Sequence, residues 1–343
     1  MPIFESQFRT APWLRNGHVQ TLLAAFRPVF EDAAWGRDRT VLRDGQVVWM
    51  ESLRGGFNRV AVLGHGMEGS SRSGYIRALG GRLLREGWDV VAWNLRGCGS
   101  FPEGRRGWYH AGQTEDLRAV VEHLSHCYPR IALAGFSLGG NLLLKYLGEG
   151  SVPPTVQVAA AVSAPLDLEA SAFALDQRIT NRLYLRNFLG SFWEKIRINA
   201  ESPFFSTRGH LGRPRSMEEV DSWYTAPLYG FSSVREYWQA CSAVRFLPAI
   251  RVPTLVLNAR DDPFLTPESF PEAVFNQSPC AVLEAPDHGG HVAFLAWGKG
   301  FRSWWEGRIA DFFSCQAGES RGWMHGRISE NSRTRVEQAG GTG

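Results

Sequence analysis

The chain has 343 residues, 44% of them hydrophobic and 21% charged, with a formal net charge of +3. At about 100–200 residues per domain this allows two units or one large α/β core, and it excludes wholesale disorder. The near balance of 37 basic and 34 acidic side chains gives no strong electrostatic claim on nucleic acid or anionic membrane.

Five cysteines, with no CxxC pair, argue against a disulfide framework and fit a reducing compartment. Met1–Pro12 holds Glu5 and Arg9 and no apolar stretch of signal-peptide length, and the longest apolar runs are far too short to span a bilayer. A cytoplasmic protein without a transmembrane segment is the expectation.

Residues 1–35 read as an N-terminal segment packing on the core. Arg39–Asp44 and Gln46–Leu53, joined at Asp44-Gly45, predict a hairpin at a sheet edge. Arg59–Leu63 predicts a strand ending in Gly64-His65-Gly66, and Tyr75–Glu86 a helix with Ile76, Leu79, Leu83 and Leu84 on one face. Asp89–Trp93 is a second strand. Thr114 is placed to N-cap the next helix, whose first turn holds Glu115 and Asp116. Arg130–Ala134, Leu138–Leu147 and Val156–Val162 continue the strand–helix–strand rhythm, which implies a parallel sheet covered on both faces.

The rhythm breaks at about Leu166–Leu247, a stretch rich in aromatics and Arg with helical patterning and no clear strand. It resumes with a strand at Pro253–Asn258, a short helix at Pro267–Phe275, a strand at Cys280–Glu284 and a helix at Val292–Phe313. The expected organisation is therefore an α/β core formed by 36–165 and 248–315, a helical cap inserted at 166–247, and a disordered tail at 316–343.

Gly135-Phe136-Ser137-Leu138-Gly139 is a G-x-S-x-G that lies between an apolar strand and an apolar helix. A Ser on such a turn stands clear of the sheet, and the helix start offers N–H groups to a developing oxyanion. A serine needs a base, and the base an orienting acid. The order Ser…Asp…His looks for both after later strands, where Ala259-Arg260-Asp261-Asp262-Pro263 and Asp287-His288-Gly289-Gly290-His291 occur. Asp262 is favoured over Asp261 as the acid, and His291 over His288 as the base. The second oxyanion donor, beside the Leu138 N–H, is expected from Met67 in the Gly64-His65-Gly66-Met67 turn, with His65 structural. No GxxxxGK[ST] or metal-ligand spacing is present, and neither cofactor nor metal is expected.

These residues resemble an α/β hydrolase, and more closely the YheT-like esterases (the type 4 group of the AB hydrolase superfamily). The resemblance rests on Asn16-Gly17-His18-Val19-Gln20-Thr21, His65-Gly66-Met67-Glu68-Gly69-Ser70-Ser71, Asn94-Leu95-Arg96-Gly97-Cys98 and Gly135–Asn141. Asp261-Asp262-Pro263-Phe264 and His288-Gly289-Gly290-His291-Val292 complete it. Gly17 departs from the Pro usual in the family. The resemblance implies a mostly parallel sheet flanked by helices, with Ser137, Asp262 and His291 as the charge relay. It further implies hydrolysis of a small-molecule carboxylic ester, with short- to medium-chain acyl esters or monoacylglycerol-like lipids as substrates. An acyltransferase on the same acyl-enzyme is the nearest alternative, and a non-catalytic binding protein on this fold a more distant one.

Overall fold

A computed structural model describes residues 3–26, 34–42, 44–99, 107–201, 205, 212–296 and 302–316. The tail expected to be disordered lies outside them, apart from Gln316 at the end of the last helix. Nine strands form one sheet: β1 (Ile3–Phe4), β2 (Gly36–Val41), β3 (Val47–Leu53), β4 (Arg59–Gly64), β5 (Asp89–Trp93), β6 (Arg130–Phe136), β7 (Val156–Val162), β8 (Thr254–Leu257) and β9 (Ala281–Glu284). Their order is β1-β9-β8-β7-β6-β4-β5-β3-β2, parallel throughout except for the β5–β3–β2 edge. The period of two along each strand sorts the core into two layers. Val60, Val62, Val91, Trp93, Ile131 and Leu133 face one side, and Ala61, Leu63, Val90, Ala92, Ala132 and Ala134 face the other. Both layers are apolar because helices cover both faces.

Those helices are α1 (Gly17–Ala25), α2 (Gly74–Arg85), α3 (Thr114–Ser125) and α4 (Leu138–Gly148), followed by α5 (Leu168–Gln177) and α6 (Arg182–Asn199). Then come α7 (Met217–Val220), which runs into a π-helical turn at Asp221–Thr225, α8 (Val234–Cys241), α9 (Glu272–Phe275) and α10 (Trp304–Gln316). Helices α5 to α8 fall between β7 and β8, and among the described residues no strand interrupts them. The chain visits β4 and β5, then returns to the other side of β4 with β6. The β4/β6 boundary is therefore a topological switch point, the place where open α/β sheets form clefts beyond their strand ends.

Three expectations change. The hairpin strands end at Val41 and begin again at Val47, so the connection is longer than Asp44-Gly45 and is closed by the Leu42 N–H donating to the Gln46 carbonyl. Thr114 opens α3 rather than capping it, and its hydroxyl donates to Glu149 at 2.6 Å. The run Val292–Phe313 is not one helix. Val292 and Phe294 have φ of 54° and 42°, Leu295–Ala296 pairs antiparallel with Arg302–Ser303, and helix starts only at Trp304. Ala293 and Leu295 of this run pack on the N-terminal segment, under Ala11 and Leu14, while Val292 and Phe294 join the core layer of Ala61 and Leu63. The first strand, β1, was not foreseen: two residues carry no periodicity, and pairing with Leu283 and Glu284 alone defines it.

Candidate active site

Strand β6 ends at Phe136, and Ser137 takes φ 52° and ψ −121° before α4 begins. A non-glycine residue there is strained and is held from outside. The Ser137 N–H donates to the Val162 carbonyl at 2.9 Å, and its carbonyl accepts from Gly140 and Asn141 at 2.8 and 3.1 Å. Glycine at 139 is a steric requirement, since a Cβ there would lie 2.3 Å from the His65 carbonyl oxygen. The loop after β4 thereby lies against the serine turn.

That loop is tied down around Met67. The Gly66 N–H donates to the Tyr75 hydroxyl at 2.9 Å and the Glu68 N–H to the Tyr109 hydroxyl at 3.1 Å. The Met67 and Leu138 N–H groups have no partner among the described residues, and both residues line the same cavity as Ser137. His65 is 1% exposed; its Nδ1 lies 2.7 Å from the Gly66 carbonyl and its Nε2 accepts from the Leu95 N–H at 3.1 Å. Burial pushes its pKa down to about 4, so the ring is neutral and both nitrogens are engaged.

Asp262 and His291 meet beyond β8 and β9. The Asp262 side chain is fully buried, with Oδ2 and Oδ1 at 2.8 and 3.1 Å from His291 Nδ1. Oδ1 also accepts from the Phe264 N–H at 2.9 Å, and the Phe264 ring lies 4.4 Å from the imidazole. A carboxylate only accepts, so Nδ1 carries the proton and Nε2 is left as the basic nitrogen. The rival residues form a pair of their own. Asp261 Oδ1 accepts from the Gly290 N–H at 2.8 Å, and its Oδ2 lies 3.5 Å from Nδ1 of the more exposed His288. Burial raises the Asp261 pKa, against the lowering effect of Gly290 and His288.

Ser137 and His291 open on two cavities. One runs under α5 to α8 and is walled by Leu168, Leu175, Phe188, Phe192 and Met217, with the Asp221 carboxyl in its lining. The other also has Met67 in its wall and is more polar, with Glu68, Ser73, Asn187, Ser191 and Ser303 lining it. Sequence reasoning missed the two tyrosine anchors, Phe264, Asp221, and the buried Lys195, which reaches Glu68. The rarity of lysine, three in the chain, was the available signal for the last. Among the described residues no helix is long and apolar enough to cross a membrane.

A family model described as serine aminopeptidase, S33, matches residues 57–291. The chain belongs to this α/β-hydrolase family. It is therefore a hydrolase by family. YheT of Escherichia coli, a candidate esterase, is 31% identical over 317 residues, which cover 87% of this chain and 90% of YheT. The medium-chain fatty acid ethyl ester synthase/esterase 2 of Saccharomyces cerevisiae is also 31% identical, over 77% of this chain and 64% of its own length, so this chain spans just under two thirds of that relative. An esterase structure from Pyrococcus furiosus superposes with a TM-score of 0.57 at 19% identity, over 84% of this chain and 92% of that one, a likeness of fold.

Proposed function

We propose that this hydrolase cleaves carboxylic esters of short- to medium-chain acyl groups, monoacylglycerol-like lipids included, through an acyl-enzyme on Ser137. The observation that carries the reading is that Ser137 shares an apolar cavity with an imidazole whose Nδ1 is held by the buried Asp262. In this mechanism Ser137 Oγ attacks the ester carbonyl and His291 Nε2 takes its proton. Asp262 holds the ring and stabilises the imidazolium, and the Met67 and Leu138 N–H groups receive the oxyanion. His291 returns the proton to the departing alcohol. Water, activated by the same nitrogen, then releases the acid.

The segment 166–247 acts as a cap on the core formed by 36–165 and 248–315. The cavity beneath it takes the acyl chain, and the more polar cavity takes the alcohol and water. The names of the relatives, which include a yeast monoacylglycerol lipase and human phospholipase ABHD3, support ester substrates. The synthase/esterase among them favours a second reading, in which an alcohol replaces water as the acyl acceptor. A site in the cytoplasm fits the absence of a membrane-crossing helix among the described residues.

The test is fluorophosphonate labelling followed by a p-nitrophenyl ester series from C2 to C16. Each buried CH₂ contributes about 0.8 kcal/mol, so kcat/KM should rise by about fourfold per carbon until the cavity is full. The maximum is expected at roughly six to ten carbons. A flat profile from C2 to C12, unmoved by substitutions at Phe188 or Leu175, contradicts a cap that reads the acyl chain. Ethyl ester formation in added ethanol, exceeding release of the acid, would favour the acyltransferase reading.

A further inference from the structure

The segment Asn16–Thr21 has no part in the chemistry above, yet α1 lies against the loop that carries His291. Asn16 caps α1 by accepting the Val19 N–H at 3.1 Å. Val19, Leu22 and Leu23 are exposed, whereas Gln20 is fully buried, so the helix turns a polar face inward. That face meets residues 289–295. The His291 N–H donates to Thr21 Oγ1 at 2.9 Å, and the same hydroxyl donates to the Gly17 carbonyl at 2.6 Å. The Leu295 N–H donates to Gln20 Oε1 at 2.8 Å, and Thr10 donates to the Leu295 carbonyl at 2.9 Å.

The loop holds itself poorly. Gly290, Val292 and Phe294 all have positive φ, the second a β-branched residue for which this is costly. The Phe294 N–H donates within the loop, to the Gly289 carbonyl at 2.7 Å, but four others go to side chains of separate elements: Gly290 to Asp261, His291 to Thr21, Val292 to Ser163 and Leu295 to Gln20. Such a backbone persists only where its surroundings over-determine it.

We propose that Thr21, supported by Gln20, is a positioning residue that fixes the His291 backbone and so the direction of Nε2. The inference rests on the ester-hydrolase reading, in which His291 is the base. The hydroxyl is suited to the task because it accepts from His291 while its own proton is committed to Gly17, which leaves it a single orientation. Displacement of a reacting group by about 1 Å costs on the order of 10²-fold in rate. The loss should therefore fall mainly on kcat, because neither Thr21 nor Gln20 lines the apolar cavity proposed for the acyl chain; Thr21 borders only the more polar cavity, and Gln20 neither.

The experiment compares wild type, Thr21→Val, Thr21→Ala and Thr21→Ser, each checked for an intact fold by thermal melting. Hydrolysis of a p-nitrophenyl ester and hydrogen exchange at the His291 amide are the two readouts. Thr21→Val should lower kcat by about 10–100-fold with KM within about twofold, and Thr21→Ser should restore most of it. Exchange at His291 should accelerate by at least about tenfold in the Val and Ala variants, and remote amides should not change. Thr21→Ala keeps the test open if Val does not fit the site. Unchanged exchange at His291, or a Ser variant as poor as Val, overturns the positioning role. Loss of the ester-hydrolase reading has a different signature, wild-type protein that neither labels with a fluorophosphonate nor hydrolyses the ester series, and the exchange readout remains decisive in that event.

Discussion

Lys195 of α6 places its ammonium 2.5 Å from Glu68 Oε1, so a cation from the helices above the sheet is buried beside the residue that follows Met67. Cys98 Sγ lies 3.4 Å from the same nitrogen, and the Tyr109 hydroxyl donates to the same carboxylate oxygen at 2.9 Å. Burial opposes the charge on Lys195, but Cys98 and Glu68 outweigh it and hold its pKa above the ordinary value. Removing one member of a buried pair strands the other. Lys195→Met should cost about 3–5 kcal/mol of stability, and the Lys195→Met/Glu68→Gln double variant should regain much of that. Chemical denaturation of wild type, Lys195→Met, Glu68→Gln and the double variant measures it, and additive losses would show that the two groups are not coupled.

Ser137→Ala should abolish labelling by a fluorophosphonate and remove most ester hydrolysis. The residual is that of the oxyanion donors and binding alone, about 10³–10⁴-fold over water. A variant that still labels would place the nucleophile elsewhere.

The two acid–imidazole pairs beyond β8 and β9 should separate cleanly. Asp262→Asn should cost orders of magnitude in kcat, because the amide cannot stabilise the imidazolium and disturbs the ring's tautomer. Asp261→Asn retains an oxygen for the Gly290 N–H and should cost much less. His291→Ala should match Ser137→Ala, since the two act as a unit. Steady-state kinetics decide this, and a larger loss at Asp261 or His288 reverses the assignment.

Acid should weaken the fold well before the carboxylates titrate. His65 is held neutral by burial down to about pH 4, whereas an unfolded histidine protonates near 6.5. A depressed pKa contributes stability that is complete above pH 6.5 and is lost as pH falls through 4. For His65 this amounts to about 3 kcal/mol. His110, pushed by burial to about 3, acts in the same direction. Urea denaturation from pH 8 to 4 should show the decline, and His65→Gln should flatten it. A wild-type curve level between pH 7 and 5 would refute the account.

Asp221 carries the opposite sign. Burial raises its carboxyl to about 6, against hydrogen bonds from Trp238, 2.8 Å away, and Thr225. A raised acid pKa means that stability falls as pH rises from about 4 to 6, the window in which the folded protein must ionise a group shielded from water. Asp221→Asn should therefore add at most about 3 kcal/mol at pH 8 and nothing at pH 4. The same variant should admit anionic acyl tails more readily, because the carboxyl lines the cavity beneath α5 to α8. Equal stability of the two proteins at pH 8 would count against it.

Strands β4 to β9 were legible because each is a short apolar run bounded by turns, and their alternation with amphipathic helices fixed the order of layers. Ser137, Asp262 and His291 stood out for a related reason: each follows a strand whose end could be read. What could not be read depends on distant parts of the chain. Ile3–Phe4 becomes a strand only because β9 offers an edge. Val292–Leu295 has helix-like apolar content, yet Ala293 and Leu295 pack on Ala11 and Leu14 while Val292 and Phe294 join the sheet's core. Thr21 has no local pattern that announces an acceptor for a backbone N–H 270 residues away.

The pairing of β1 with β9, and of α1 with residues 289–295, has a consequence for how the protein is made. Residues 3–25 are synthesised about 255 residues ahead of the partners they dock on, at roughly 5–20 residues per second. That segment must wait undocked until β9 and residues 289–295 have been made. Nascent chains that stop short of β9 lack both the edge that receives β1 and the histidine proposed as the base. Hydrolytic competence is therefore gained only after β9, and a product interrupted before it leaves the ribosome without that histidine.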